Sequence, residues 1–122
     1  MPRFAILNHD WPFLHWDLLL ESEGKLLTWR LLREPAAGAT IEAEALPSHR
    51  LAYLDYEGPV SGNRGSVTCW DRGELLNLEF SASSCSAIIE GERFCGRVAV
   101  SERAASSGFI VVFGPSTANA TK

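Results

Sequence analysis

The sequence predicts a mainly β domain, a small closed or strongly curved β-barrel of about eight short strands with little helix. Three observations lead there. Apolar residues recur in short alternating runs, the runs are separated by Gly, Pro, Ser and Asn, and no segment sustains a helical period. Closure removes the exposed edges that so many short strands would otherwise leave. At 122 residues the chain can bury one hydrophobic core without staples. We expect a single domain over 3–114 and a flexible, polar C-terminal tail over 115–122.

The first strand runs from Phe4 to Asn8 with His9 at its end, because Pro12 lacks an N–H and stops regular pairing. From Leu14 the chain alternates. Successive strand side chains point to opposite faces, so Leu14, Trp16, Leu18 and Leu20 share a core face while His15, Asp17, Leu19 and Glu21 share the other. A turn between the two strands would bring His9 beside His15 and Asp17. Ser22–Lys25 reads as a hairpin turn into Leu26–Leu31, which ends near Pro35.

Thr40–Glu44 fits either a short strand or one helical turn, since it mixes β-branched residues with Ala and Glu. In Ser48–Gly58, His49 and Tyr53 would meet on a helical turn; if the segment is extended, Leu51, Tyr53, Asp55 and Glu57 share a face. Gly58–Gly65 is a loop whose glycines permit positive φ and whose N–H groups could form an anion nest. Strands follow at Ser66–Trp70, Leu75–Ala82, Ser86–Ile89 with Arg93–Val100, and Phe109–Phe113, with turns at Asp71–Glu74 and Ile89–Glu92.

Composition narrows the function classes. An apolar content of 46% with 21% charged residues excludes global disorder. No apolar run is long enough to span a bilayer, and the start of the chain lacks the regions of a signal peptide, so the expected compartment is the cytoplasm, with no membrane partner. Cys69, Cys85 and Cys95 show no CxxC spacing and are expected to be buried small hydrophobes. A net charge of −4 disfavours gripping a long nucleic-acid duplex by phosphate neutralisation, though not a local basic pocket.

His9, His15, Asp17 and His49 include enough imidazole and carboxylate for a site of two His and one Asp with open positions, suited to manganese, zinc or iron. Isolated histidines at strand ends are commonly satisfied by hydrogen bonds instead. Here all three histidines stand beside acids and aromatics. Trp16, Trp29 and Trp70 read as packing; Trp11, beside Pro12, is the one candidate for stacking on a terminal base. Asp10, Asp55 and Glu57 read as supporting or solvated carboxylates.

These residues also fall into a longer pattern. His9-x5-His15-Trp16-Asp17-x3-Glu21, then Trp29 and Arg33, His49-x3-Tyr53-Leu54-Asp55-Tyr56-Glu57-Gly58, Trp70-Asp71-Arg72-Gly73 and Gly91-Glu92-Arg93-Phe94-x-Gly96-Arg97 follow one another. The pattern resembles the 3′-phosphoesterase domain of bacterial ATP-dependent DNA ligase D, and the likeness extends from Arg3 to Gly114. The resemblance implies a compact β-barrel that removes a 3′-terminal phosphate or ribonucleotide from a primer end, with a divalent metal, Mn²⁺ foremost. It implies metal ligation by His9, Asp17 and His49, with His15 beside the scissile phosphate and Tyr53 supporting the site. Arg33 falls where the family has a basic residue. The nucleic-acid 3′ end is then the partner, with ligase and polymerase functions on separate repair proteins.

One departure bears on activity. Where the family carries an arginine two residues after the strand aspartate, this chain has Leu19, which cannot make a bidentate, charge-assisted contact with phosphate. Arg64 in the glycine loop, Arg30 or Arg33 would have to replace that guanidinium. Otherwise the expectation is a catalytically silent module that binds metal and a phosphate end, or docks on a repair protein. A more distant alternative is a small-molecule metalloenzyme on the same donor set.

Overall fold

The structure, a computed structural model, describes residues 1–103 and 108–115. The expected tail therefore lies, from residue 116, outside the described residues. Among the described residues nine strands form: β1 (Arg3–His9), β2 (His15–Ser22), β3 (Lys25–Leu31), β4 (Thr40–His49), β5 (Gly58–Pro59), β6 (Ser66–Ser81), β7 (Ser84–Gly91), β8 (Cys95–Glu102) and β9 (Phe109–Gly114). One 3-10 turn, Leu51–Leu54, follows β4. All pairings are antiparallel, in the order β1-β2-β3-β4-β9-β8-β7-β6-β5, and β1 also pairs with β6. That last pairing closes eight strands into a ring and leaves β5 on its flank. The ring is not evenly disposed about an axis, so the mainly β class is established while a regular barrel is not.

Closure depends on β6, which serves two neighbours in succession: Val67–Glu74 pairs with β1 and Gly73–Ser81 with β7. The sequence suggested a turn at Asp71–Glu74, and the structure instead runs straight through it. Gly73 is required there because a Cβ would lie 1.9 Å from the Glu90 carbonyl oxygen, so the glycine marks close strand approach, not reversal. A bulge follows, with Asn77 at φ 55°, where the register shifts between Leu76 and Glu79. Asp71 is buried, and its carboxylate accepts the N–H groups of Arg72, Glu92, Arg93 and Phe94 at 2.8–3.0 Å, which fastens the turn between β7 and β8.

Inside the ring, Phe4, Ile6, Trp16, Leu18, Leu20 and Phe113 belong to the main core, as the alternation of β2 requires. Cys85 packs there too, whereas Cys69 is half-buried and Cys95 exposed, so the expectation of buried thiols holds for one of three. On the opposite face, Ala5, Leu7, Leu19, Leu26 and Val67 form a second cluster under Leu54 of the 3-10 turn. β2 is thus buried on both sides, and Thr40–Glu44, left open by its composition, is strand because it bridges β3 to β9.

Removing the carboxylate in Asp71→Ala strands four buried or half-buried amides at the β7–β8 turn. Hydrogen bonds to charged groups contribute about 1.5–3 kcal/mol each and are not additive, so a loss of roughly 3 kcal/mol is expected. Urea unfolding should show a lower midpoint at unchanged m-value.

Candidate metal centre

Strand register assembles the site. His9 pairs with His15 across β1–β2, and Leu7 pairs with Asp17. Directly paired residues share a face, and so do residues two apart on one strand, so both histidines and the aspartate converge. One ligand atom from each of His9, His15 and Asp17 lies within 4.8 Å of the others. His9 Nδ1 is 3.6 Å from Asp17 Oδ2, and His15 Nε2 is 3.2 Å from Asp17 Oδ1.

The outward nitrogens fix the tautomers. His9 Nε2 donates to the Arg64 carbonyl at 2.9 Å and His15 Nδ1 to the Phe13 carbonyl at 2.8 Å, since a carbonyl only accepts. In the neutral rings the inward His9 Nδ1 and His15 Nε2 therefore carry lone pairs that face the carboxylate. His15 Nε2 and Asp17 Oδ1 are both buried and, although 3.2 Å apart, have no hydrogen-bond partner among the described residues. Acceptors facing acceptors in a buried place need a shared proton or a cation between them. The donor set and its carbonyl-held histidines suit a divalent transition metal.

The three donors open into a cavity of about 200 Å³ whose walls also include Trp11, Arg30, His49, Tyr53 and Arg64. His49 lies outside the three-donor group. Its Nδ1 donates to the Pro47 carbonyl at 3.1 Å with the Thr28 hydroxyl at 3.2 Å, which leaves Nε2 as its open atom, and its ring meets Tyr53 edge-on at 5.4 Å. The structure thus gathers His15 with His9 and Asp17, where the resemblance implied His49. The register shift between Leu26 and Thr28 sets His49 opposite Leu26, one strand further out.

Of the arginines, Arg33 is turned away: its Nη2 donates to the Thr40 carbonyl at 2.7 Å, and it does not line the cavity. Arg64 lines the cavity but commits Nε and Nη2 to Ser61 at 2.7 and 3.2 Å. Arg30 is the stronger candidate cation. It is the direct cross-strand partner of Asp17, its Nε is buried without a partner among the described residues, and its guanidinium lies 5.6 Å over the Phe13 ring. Its one ionic contact is with half-exposed Glu44 at 3.4 Å. Leu19 is fully buried in the second cluster and does not line the cavity.

The remaining acids brace the frame. Asp10 accepts from Ser66 N at 2.9 Å, Glu57 from Cys69 N at 2.6 Å, and Asp55 pairs with Arg3 at 2.6 Å. None joins the donor group. Trp16 and Trp29 are core residues, while Trp70 is half-buried with its Nε1 on Glu34 at 3.0 Å.

Two histidines and an aspartate thus converge beside an arginine-lined cavity on a mainly β domain, an arrangement with the donor types of a divalent-cation site. The sequence model of the DNA ligase D 3′-phosphoesterase domain matches residues 7–102, and the chain belongs to that family. It is also 30% identical over 105 residues to the multifunctional non-homologous end joining protein LigD of Pseudomonas aeruginosa. That match covers 78% of this chain and 12% of the relative, so the chain corresponds to a small part of that protein.

Two outcomes follow from the geometry. Burial raises the Asp17 carboxyl, but His15 and His9 outweigh it and hold it down to about 2, while Asp17 raises the His9 imidazole against its own burial. The Asp17 contribution to stability is complete above its unfolded value and lost as pH falls through about 2; that of His9 is complete below about 6.5 and lost as pH rises through its raised folded value. A cation held by His9 would displace its proton, so any thermal stabilisation it gives the protein should grow from about pH 6 to about pH 8, read as melting temperature with and without metal. Leu19→Arg places a guanidinium among apolar side chains; an uncompensated buried charge costs roughly 3–5 kcal/mol, so this variant should lose stability, measured by urea unfolding, without gaining activity.

Proposed function

We propose that the domain processes nucleic-acid 3′ ends in DNA repair, hydrolysing a 3′-terminal phosphate or releasing a 3′-terminal ribonucleotide. The observation that carries this reading is the convergence of three metal-ligating side chains beside a cavity wall of Arg30, His49, Tyr53 and Arg64. Family membership supports the 3′-end substrate. His9, His15 and Asp17 would hold the cation, with Mn²⁺ the first ion to test. Lewis-acid polarisation of a phosphoryl oxygen and acidification of water are the chemistry such an ion supplies when bound.

The chain's own residues do the rest. His49, tautomerically fixed with Nε2 open, and the Tyr53 hydroxyl orient the phosphate from the cavity wall. Arg30 supplies the charge that Leu19 does not, by satisfying its unpartnered Nε on a phosphate oxygen. Arg64 adds positive potential from the glycine loop. This reading moves His15 into the cation group and His49 to the phosphate wall. The physiological setting we infer is cytoplasmic, alongside separate ligase or polymerase proteins.

The burial of Leu19 favours a second reading, a module that keeps the cation and binds a phosphate end without turnover. One assay set separates them. With labelled 3′-phosphate and 3′-ribonucleotide primers and Mn²⁺, wild type should turn over. His15→Ala should lose both cation affinity and activity, and His49→Ala activity alone. Arg30→Ala should lose about a hundred- to thousand-fold in kcat/KM, the cost of one preorganised charge donor. Primer binding without turnover in wild type selects the second reading.

A further inference from the structure

The tip joining β1 to β2 exposes three large apolar side chains within four residues: Trp11 at 43%, Phe13 at 49% and Leu14 at 53%. Single exposed apolar residues are ordinary; a contiguous patch at the mouth of a polar cavity calls for an occupant. Trp11 itself lines the cavity, and Phe13 sits edge-on to His15 with the Arg30 guanidinium over its ring. The patch and the cation wall are therefore continuous.

The tip is also held in place. The Asp10 carboxylate accepts from Ser66 N at 2.9 Å, the Phe13 carbonyl takes the His15 Nδ1 proton, and Gly65 packs so closely beneath the tip that a Cβ would lie 2.7 Å from Trp11 Cβ. Gly65 has φ +74°, so a side chain there is excluded twice over. Aromatic side chains on a fixed frame lose little freedom on binding.

We propose that Trp11 and Phe13, flanked by Leu14, form a stacking platform for the base of the 3′-terminal nucleotide. The inference rests on the phosphoesterase reading of the adjoining cavity. Its occupant must carry an anion for Arg30 and Arg64 and a flat apolar face within one nucleotide's reach, which is the chemistry of a nucleotide. A terminal base, paired or unpaired, keeps one face outside its own stack, and that face is the one the platform covers. With a net charge of −4, the domain has no broad basic field for duplex phosphates, so contacts at the end itself must set selection.

The test compares KM for two 3′-phosphorylated oligonucleotides: a single strand and the same strand ending in an abasic site. Binding of each is measured in parallel by fluorescence anisotropy with the metal-loaded protein, which needs no turnover. For wild type the single strand should bind roughly ten- to hundred-fold more tightly than the abasic strand, in line with one stacked base. In Trp11→Ala, and further in the Trp11→Ala/Phe13→Ala double variant, the ratio of intact to abasic affinity should collapse towards one, while Trp11→Tyr retains most of it. Equal wild-type affinity for intact and abasic ends overturns the platform while leaving the phosphoesterase reading standing. A ratio unchanged in the double variant overturns it as well and points to a protein-docking patch. If wild type neither binds nor turns over either of them, the phosphoesterase reading fails and the platform falls with it.

Discussion

The register of the β1–β2 pair governs everything else in this domain. His9 faces His15 and Leu7 faces Asp17 only in that register, and a slip of one residue would send each side chain of β2 to the other face. What fixes the register is the inner face, where Trp16, Leu18 and Leu20 are buried. Burying each such side chain contributes about 1.5–3 kcal/mol, so exposing the set would cost more than the crowding of two lone pairs and a carboxylate on the other face. The donors are gathered by the core, not by their attraction for one another, and the cost is left in the unsatisfied His15 Nε2 and Asp17 Oδ1.

Burial of β2 on both faces ties the site to its cover. The second apolar cluster joins Leu19 and Leu7 to Leu54, and the Arg3–Asp55 pair links the start of β1 to the end of the 3-10 turn. That same covering stretch brings His49, Tyr53 and Arg64 to the cavity, and the Arg64 carbonyl holds His9 in its ligating tautomer. One segment therefore orients His9 and supplies His49, Tyr53 and Arg64 to the anion wall. If the cover opens, the chain loses the cavity and the tautomer of His9 together, which couples the assembly of the site to the folding of residues 46–65.

Much of this was legible in the strand alternation. The two faces of β2 follow from period-2 spacing, and the Ser22–Lys25 turn carries more information than its composition first suggests. Glu23 and Gly24 both adopt positive φ, as a two-residue hairpin loop requires, so Ser22 pairs with Lys25 and counting back sets Asp17 opposite Arg30. Arg30 was thus identifiable as the cation beside the carboxylate by arithmetic alone. Other features were not accessible in this way. The place of His49 depends on an irregularity between Leu26 and Thr28 that has no local signature, and Asp71-Arg72-Gly73-Glu74 carries turn composition although Gly73 serves close strand contact. In both, tertiary contact overrides local preference.

Leu19 and Arg30 are best understood together. Both lie on the outward face, one two residues beyond Asp17 along β2 and the other directly across from it on β3. A position two residues along a strand is about 6.6–6.8 Å away, and a directly paired position about 4.5–5.5 Å, so a long arginine side chain can serve the same volume from either. Leu19 is committed to the apolar cluster that holds the cover down, where a charge would be stranded. Arg30 has no such commitment, and its guanidinium passes over Phe13 before reaching the cavity. A cation that approaches from β3 therefore couples the anion wall to the aromatic tip, a linkage that an arginine on β2 beneath the cover would not create.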